Sequence, residues 1–312
     1  MVPILRRLSK GGKGVLFSDC CGIDIGLETV RVVQIQWRKN AWIIKKHAEY
    51  LNPTNAPFTE NIFQVSKILN EIKSEFKCKR CVSAISGSNV FYRCIQIPAL
   101  SLREIKRAVS WEAEDLSIFF GEEYVWDYEI IGKFKDSYQI FLAAVSKRIA
   151  LDYVRVFEDS GLELIALDVY PLAIARFLSS LDSKNNISVI CLNEDSCEIS
   201  VLKNGKLIFT RHIKLDNKTL FDPYMIRKFV LEIVQFLKIK FLYNEKIKID
   251  KIYFLRSGKE NDIFSNVLRE IVDLPVDEKF NVGDNFKYVS ENIDLCKFFK
   301  AIGLAMRGRY NR

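Results

Sequence analysis

Cys21-Gly22-Ile23-Asp24-Ile25-Gly26, continuing as Leu27-Glu28-Thr29-Val30-Arg31-Val32-Val33-Gln34-Ile35, decides how the rest of this chain is read. An apolar strand runs into a carboxylate, a glycine permits a tight turn, and a second apolar strand returns. Such a turn can present backbone N–H groups to phosphate oxygens, with Asp24 placed to hold a metal through water. An ordinary hairpin with a glycine turn accounts for the same string, so the weight falls on its surroundings.

Outward from it, Val30 to Trp37 alternates as a strand, Arg38-Lys39-Asn40 turns, and Ala41 to Tyr50 returns beside it. After a loop with Pro53 and Pro57, Thr59 is positioned to cap a helix. Its apolar face reads Ile62, Phe63, Val65, Ile68, Leu69, Ile72 and Phe76. Cys81 to Ser86 is then a short buried strand, which completes the order β-β-β-α-β. The same order recurs from Ile187. Ile187 to Leu192 is a strand, and Cys197 to Lys203 pairs with Lys206 to Ile213 across Asn204-Gly205, a strong hairpin signal. Asp222-Pro223 opens a helix running to about Tyr243, and Ile249 to Leu255 is the closing strand. Two such units predict an α/β, actin-like (ribonuclease H-like, duplicated) two-lobed fold. In that architecture nucleotide lies in the cleft between the lobes.

An insertion separates the repeats. Phe91 to Ile97 is a strand, and Ser101-Leu102-Arg103-Glu104 is a capping box for a helix reaching about Leu116. Tyr124 to Ile131 and Tyr138 to Ala144 are strands, and Ser146 is placed to cap a helix stopped by Gly161. The predicted organisation is a first lobe at 1–90 and 162–185, an inserted α+β subdomain at 91–161, and a second lobe at 186–312. Leu295 to Arg307 is read as a helix docking back.

Composition narrows the function classes. The chain has 312 residues, 49% hydrophobic and 28% charged, which describes a globular protein. Its net charge of +8 is diffuse and suits anionic surfaces in general. No run approaches the ~20 apolar residues of a membrane span, and the basic start with Arg6, Arg7, Lys10 and Lys13 lacks the apolar core of a signal peptide. A cytoplasmic location follows as the expectation, with eight cysteines as thiols. Cys78-Lys79-Arg80-Cys81 has no second pair at zinc-site spacing. With only His47 and His212, histidine-based nucleophilic catalysis is disfavoured. Aromatic and basic residues do not interleave as in a single-strand binder, so nucleic acid is not an expected partner. Trp111-Glu112-Ala113-Glu114-Asp115 is read as the wet face of a helix.

At this point the motifs resemble the PilM family, the cytoplasmic actin-like proteins of type IV pilus assembly. The opening stretch carries the likeness first. Pro98-Ala99-Leu100-Ser101 with Glu104, Trp111-Glu112-Ala113-Glu114 and Asp127-Tyr128-Glu129-Ile130-Ile131-Gly132 extend it. Ala166-Leu167-Asp168-Val169-Tyr170-Pro171, Asn204-Gly205 with Phe209-Thr210-Arg211, and Ala301-Ile302-Gly303-Leu304-Ala305-Met306-Arg307-Gly308 follow in order. The resemblance implies ATP with magnesium between the lobes. It also implies a hold on the cytoplasmic tail of PilN, a single-pass inner-membrane protein, alongside other assembly-platform components. Membrane association would then be peripheral and through partners. The cofactor-binding residues implied are Gly22, Asp24, Gly26, Thr29, Arg31, Ser257 and Gly258, with Asp24 holding magnesium through water. For Arg31, reach to a phosphate and a solvated strand face are equally open.

The departures from the family pattern carry their own expectation. Leu27 and Glu28 stand where the first phosphate loop has small hydroxyl residues, which leaves Thr29. Cys191-Leu192-Asn193 replaces an aspartate, an apolar residue and a glycine. Leu255-Arg256-Ser257-Gly258-Lys259 has one glycine for a pair, and Ile118-Phe119 lacks a proline. Weak nucleotide binding without useful turnover is the expectation, so the chain is at most a weak ATPase. The alternatives are a degenerate scaffold without nucleotide, and a component like the cytoplasmic part of GspL of type II secretion. A sugar kinase of the same fold would need a substrate-side base aspartate that the sequence does not offer.

Overall fold

A computed structural model of the chain describes residues 19–54, 56–77, 79–85, 87–116, 120–193, 195–215, 222–256, 262–282, 285–288 and 293–310. The opening stretch forms β1 (Cys20–Ile25) and β2 (Thr29–Arg38), antiparallel, with Asp24 opposite Arg31. β3 (Ala41–Leu51) returns after a turn in which Lys39 and Asn40 both have positive φ. α1 (Ile62–Phe76) buries Val65, Ile68, Leu69, Ile72 and Phe76, an i, i+3, i+4, i+7 stripe. Two readings of this helix are corrected. Phe63 lies off the stripe, 69% exposed, with the Lys67 ammonium over its ring. Thr59 sits in a 3-10 turn (Phe58–Glu60), and Asn61 is the N-cap residue. β4 (Arg80–Ile85) then runs parallel to β1.

β5 (Val90–Pro98), α2 (Leu102–Glu114), β6 (Tyr124–Lys133) and β7 (Ser137–Ser146) form a three-stranded sheet ordered β5-β7-β6 with α2 on one face. The capping box is present in full: Ser101 accepts from the Glu104 N–H, and the Glu104 carboxylate accepts from the Ser101 N–H. Ile105, Val109 and Ala113 pack on Ile140, Leu142 and Ala144. α3 (Lys147–Asp159) follows β7 directly. Ser146 occupies its N-cap position, but the buried hydroxyl makes no capping bond, because the strand runs straight into the helix. β8 (Glu163–Val169) joins β4 in parallel and leads into α4 (Tyr170–Leu181).

The repeat is plain in the strands that follow. β9 (Ile187–Leu192), β10 (Ser196–Lys203) and β11 (Lys206–Lys214) meander, with Asn204 and Gly205 at φ 49° and 72°, the two left-handed residues of a tight hairpin turn. α5 (Pro223–Leu237) is capped by the Asp222 carboxylate, which accepts from the N–H groups of Tyr224 and Met225. The chain continues as a π-helix (Lys238–Asn244), where sequence spacing predicts an uninterrupted α-helix. β12 (Lys251–Arg256) is parallel to β9, and beyond it α6 (Asp262–Ile271) leads to the two-residue β13 (Val276–Asp277). β14 (Phe286–Tyr288) pairs with β3 in parallel, and α7 (Leu295–Tyr310) closes the described chain.

The two large sheets read β14-β3-β2-β1-β4-β8 and β11-β10-β9-β12-β13. Apart from the added β14, order and direction repeat: an antiparallel meander, then parallel strands on its far side. This is the duplicated ribonuclease H-like pattern of the actin-like fold. By compactness the chain divides into one unit of residues 1–177 and 282–312 and another of residues 178–281.

In the first unit α7 lies on β1, β2 and β4 at unusually close range. A Cβ on Gly22 would stand 1.9 Å from the Ala301 carbonyl oxygen, and one on Gly303 would stand 2.0 Å from that of Ala173. Beside this contact the buried Asp168 carboxylate accepts from Arg176 and, at 3.1 Å, from Arg307. Arg176 also donates to the Gly303 carbonyl at 2.8 Å, and Arg307 reaches Glu129 at 3.6 Å. Burial opposes the charge on Asp168, yet the two guanidiniums hold its carboxyl below the usual carboxylate range.

Candidate functional site

Asp24 is the penultimate residue of β1 and is buried at 4% exposure. Its Oδ1 accepts from the Tyr170 hydroxyl at 2.5 Å, so the first residue of α4 fixes the carboxylate. Tyr153 of α3, stacked on Phe58, lies close by. Burial and the Asp24 charge push its phenol up, beyond ordinary titration. The Lys300 ammonium sits over the Tyr170 ring, 4.6 Å from its centroid. Arg31 stands between Asp24 on β1 and Glu49 on β3, and its Nε donates to Glu49 at 2.5 Å. Arg31 is 8% exposed, so the solvated-face reading does not hold. Its charge is paired with the Glu49 carboxylate.

The turn from β1 to β2 is tied down from below. Gly26 N–H donates to the Thr29 carbonyl at 2.9 Å, and Asn52 N–H donates to the Glu28 carbonyl at 2.8 Å. The Asn52 side chain donates to the Gly26 carbonyl at 3.2 Å and accepts from Asn61 and Thr54. Asn61 thus spends its amide on this loop rather than on capping α1. Thr29 Oγ1 is buried without a hydrogen-bond partner among the described residues. An orphaned hydroxyl beside an immobilised turn and a buried carboxylate fits a phosphate and a hydrated cation on this side.

Gly22 has a second role that sequence reading did not find, since its bare backbone admits α7. Ser257 and Gly258, with Lys259, lie outside the described residues, as do Ile118, Phe119 and Cys78. Tyr170, Tyr153, Asn52 and Asn61 are site residues that sequence reasoning missed. Tyr170 falls inside a quoted motif, but its partner is 146 positions away.

In the second unit the corresponding turn is satisfied within itself. The buried Cys191 thiol points at Asn193 Oδ1, 3.7 Å away, and Asn193 N–H donates to the Ser196 carbonyl at 2.8 Å. The Asn193 amide donates to Ser196 Oγ at 3.2 Å, and Ser196 donates to Asp195 at 3.1 Å. Burial, with Cys191 and Glu198 nearby, drives the Cys197 thiol well up, so it stays protonated. Burial likewise lowers His212, against the pull of Asp195. The turn supplies no carboxylate at Cys191, and a neutral thiol is a poor ligand for magnesium. This half does not fit a metal-nucleotide as the first does. Among the described residues no group of three or more His, Cys, Asp and Glu side chains is arranged to hold a metal, and no helix is long and apolar enough to cross a membrane.

Comparison with known proteins places these features. A family model described as type IV pilus assembly protein PilM matches residues 22–229. Among solved structures, a PilM-PilN type IV pilus biogenesis complex is 20% identical, covering 93% of this chain and 98% of that chain, with a TM-score of 0.73. The ethanolamine utilization protein EutJ from Carboxydothermus hydrogenoformans is 13% identical over 97% of this chain and 92% of that chain, with a TM-score of 0.52. At these identities the likeness is one of fold. No curated protein matches the chain.

Proposed function

Because this chain belongs to the family of the type IV pilus assembly protein PilM, we propose that it is the cytoplasmic actin-like component of a pilus assembly platform. In this reading it binds the cytoplasmic tail of a PilN-like inner-membrane protein and reaches the membrane through it. The observation that carries the reading is the family match over residues 22–229. The solved PilM-PilN complex, alike over most of both chains, supports it.

The tail is taken up by the first lobe together with the inserted subdomain. A groove of about 340 Å³ where β6 and α3 meet suits a short peptide of mixed charge, lined by Glu122, Glu123, Lys147, Arg148, Asp152 and Arg155. Lys147 pairs with Glu123 at 2.7 Å and Arg148 with Asp152 at 3.7 Å across this surface. Exposed pairs of this kind contribute little to stability, so a charged tail can exchange with them at small cost.

ATP binding belongs to the same reading, with Asp24, Gly26 and Thr29 toward phosphate and cation. Bound ATP with magnesium would supply a cleavable phosphoanhydride. Turnover needs stabilising groups that the Cys191-Leu192-Asn193 turn does not provide, and loss of one such group typically costs ~10²–10³ in rate. Titrating the full chain with a synthetic PilN-like tail and with ATP and magnesium tests both parts. Saturable tail binding, weak ATP binding reduced by Asp24→Ala, and no steady phosphate release are the expected results. Absence of tail binding and of co-purification with the full-length partner overturns the assembly reading. Asp24-dependent turnover overturns the catalytic part, and absence of ATP binding leaves a scaffold without nucleotide.

A further inference from the structure

We propose that the outer ridge of α5 and the π-helix that extends it is a contact surface for an anionic lipid leaflet. The inner face of this element is fully engaged, with Ile226, Val230, Ile233, Val234, Leu237 and Phe241 in the core of the second unit. Its outer face carries Tyr224, Leu231, Ile239, Leu242 and Tyr243, all between 38% and 75% exposed. These residues recur near helical spacing on one face, tyrosines toward both ends and leucine and isoleucine between, interspersed with exposed Lys228, Glu232, Gln235 and Lys238. Ile263 of α6, the helix packed beside α5, is also 43% exposed. Large apolar side chains gathered on one exposed helix face and mixed with lysine are the composition of an interaction surface.

Charge selects the occupant. Lys228 and Lys238 are exposed on this ridge and Lys246 in the turn just past its end, and none has an acidic partner within ion-pair distance among the described residues. Of the nearby acids, Glu270 pairs with Arg227 at 2.7 Å and Glu245 with Lys240 at 3.1 Å, while Glu232 is exposed between Lys228 and Lys238, so the three lysines leave the ridge net positive. A helix with leucine and isoleucine flanked by tyrosine and free lysine matches the make-up of interfacial helices, whose lysines reach up to phosphate groups while their stems cover apolar surface. The i→i+5 turn, a form that often occurs at functional sites, keeps Phe241 and Ile247 inward while Ile239, Leu242 and Tyr243 remain out.

This contact is independent of any PilN-like tail, because it uses only residues of the second unit. The test is flotation of the full chain with vesicles of phosphatidylcholine alone and of phosphatidylcholine with phosphatidylglycerol. Binding is expected only to the anionic vesicles and should weaken as salt is raised. Each lysine at an anionic surface contributes roughly five-fold to partitioning. Combined Lys228→Ala, Lys238→Ala and Lys246→Ala should therefore lower it by about a hundred-fold. Leu231→Ser with Leu242→Ser should lower it at least ten-fold, with both variants still folded by circular dichroism. Equal binding to neutral and anionic vesicles, or unchanged binding of either variant, overturns the proposal. So does a ridge variant that loses only a protein partner and keeps its vesicle binding.

Discussion

Gly22 shows how one residue type can answer two different physical demands. The sequence offers it as part of a phosphate-side turn, whereas the structure uses its missing Cβ to let the Ala301 carbonyl in. Gly22→Ala is expected to destabilise the first unit by about 1–3 kcal/mol through overpacking, measured by urea unfolding. A loss of ATP affinity with unchanged stability would refute that assignment. Asp182 carries the pH prediction. Burial opposes its charge, but hydrogen bonds from Lys251 at 2.8 Å and from Asn185 hold the carboxyl down to about 2. A depressed carboxyl contributes stability that is complete above its unfolded pKa near 3.8 and is lost as pH falls toward 2. The advantage of wild type over Asp182→Asn in thermal melts should hold at pH 5 and vanish near pH 2. A constant difference would contradict it. Residue identities in the candidate site were legible as chemistry, in Asp24 and the glycine turn. Their partners were not: Tyr170, Asn52 and the α7 carbonyls reach the site only through tertiary packing, which leaves no local spacing to read.

Among the elements, the buried ion cluster joins β8, α4 and α7. Removing Asp168 strands two guanidiniums, one of them nearly sealed from water, and breaking a buried pair this way costs about 3–5 kcal/mol. Asp168→Ala should therefore lower the unfolding free energy by that amount, and adding Arg307→Met should cost less than the sum of the single changes. Strict additivity would show that the three charges are not one network. Most elements could be read from sequence because their signals are local. The capping box at Ser101, the Asn204-Gly205 turn and the Asp222-Pro223 start each satisfy backbone groups within four residues. α6, β13 and β14 escaped. The two strands are two and three residues long and take their meaning only from parallel neighbours far along the chain. At Asn61 a stronger tertiary use of the amide displaced the local capping role.

For the molecule as a whole, duplication was readable because each half repeats its own order of elements, whatever residues fill it. Closure was less readable, since the first unit is discontinuous: its chain leaves at residue 177 and returns at 282, with the second unit nested in that gap. The feature with the widest consequence is α7, whose residues 295–310 complete the core under a strand that ended at Ile25. During translation, at ~5–20 residues per second, β1 and β2 emerge tens of seconds before the helix that covers them. The nested unit draws on no residue beyond 281, so it can reach its final form without α7. Released chains truncated after residue 281 should thus yield a protease-resistant fragment from the second unit while β1 is still cut. Resistance of β1 at that length would mean another cover serves in the interim. In a cell, the apolar sheet left open over that interval is the surface on which chaperones would act and where misassembly would begin.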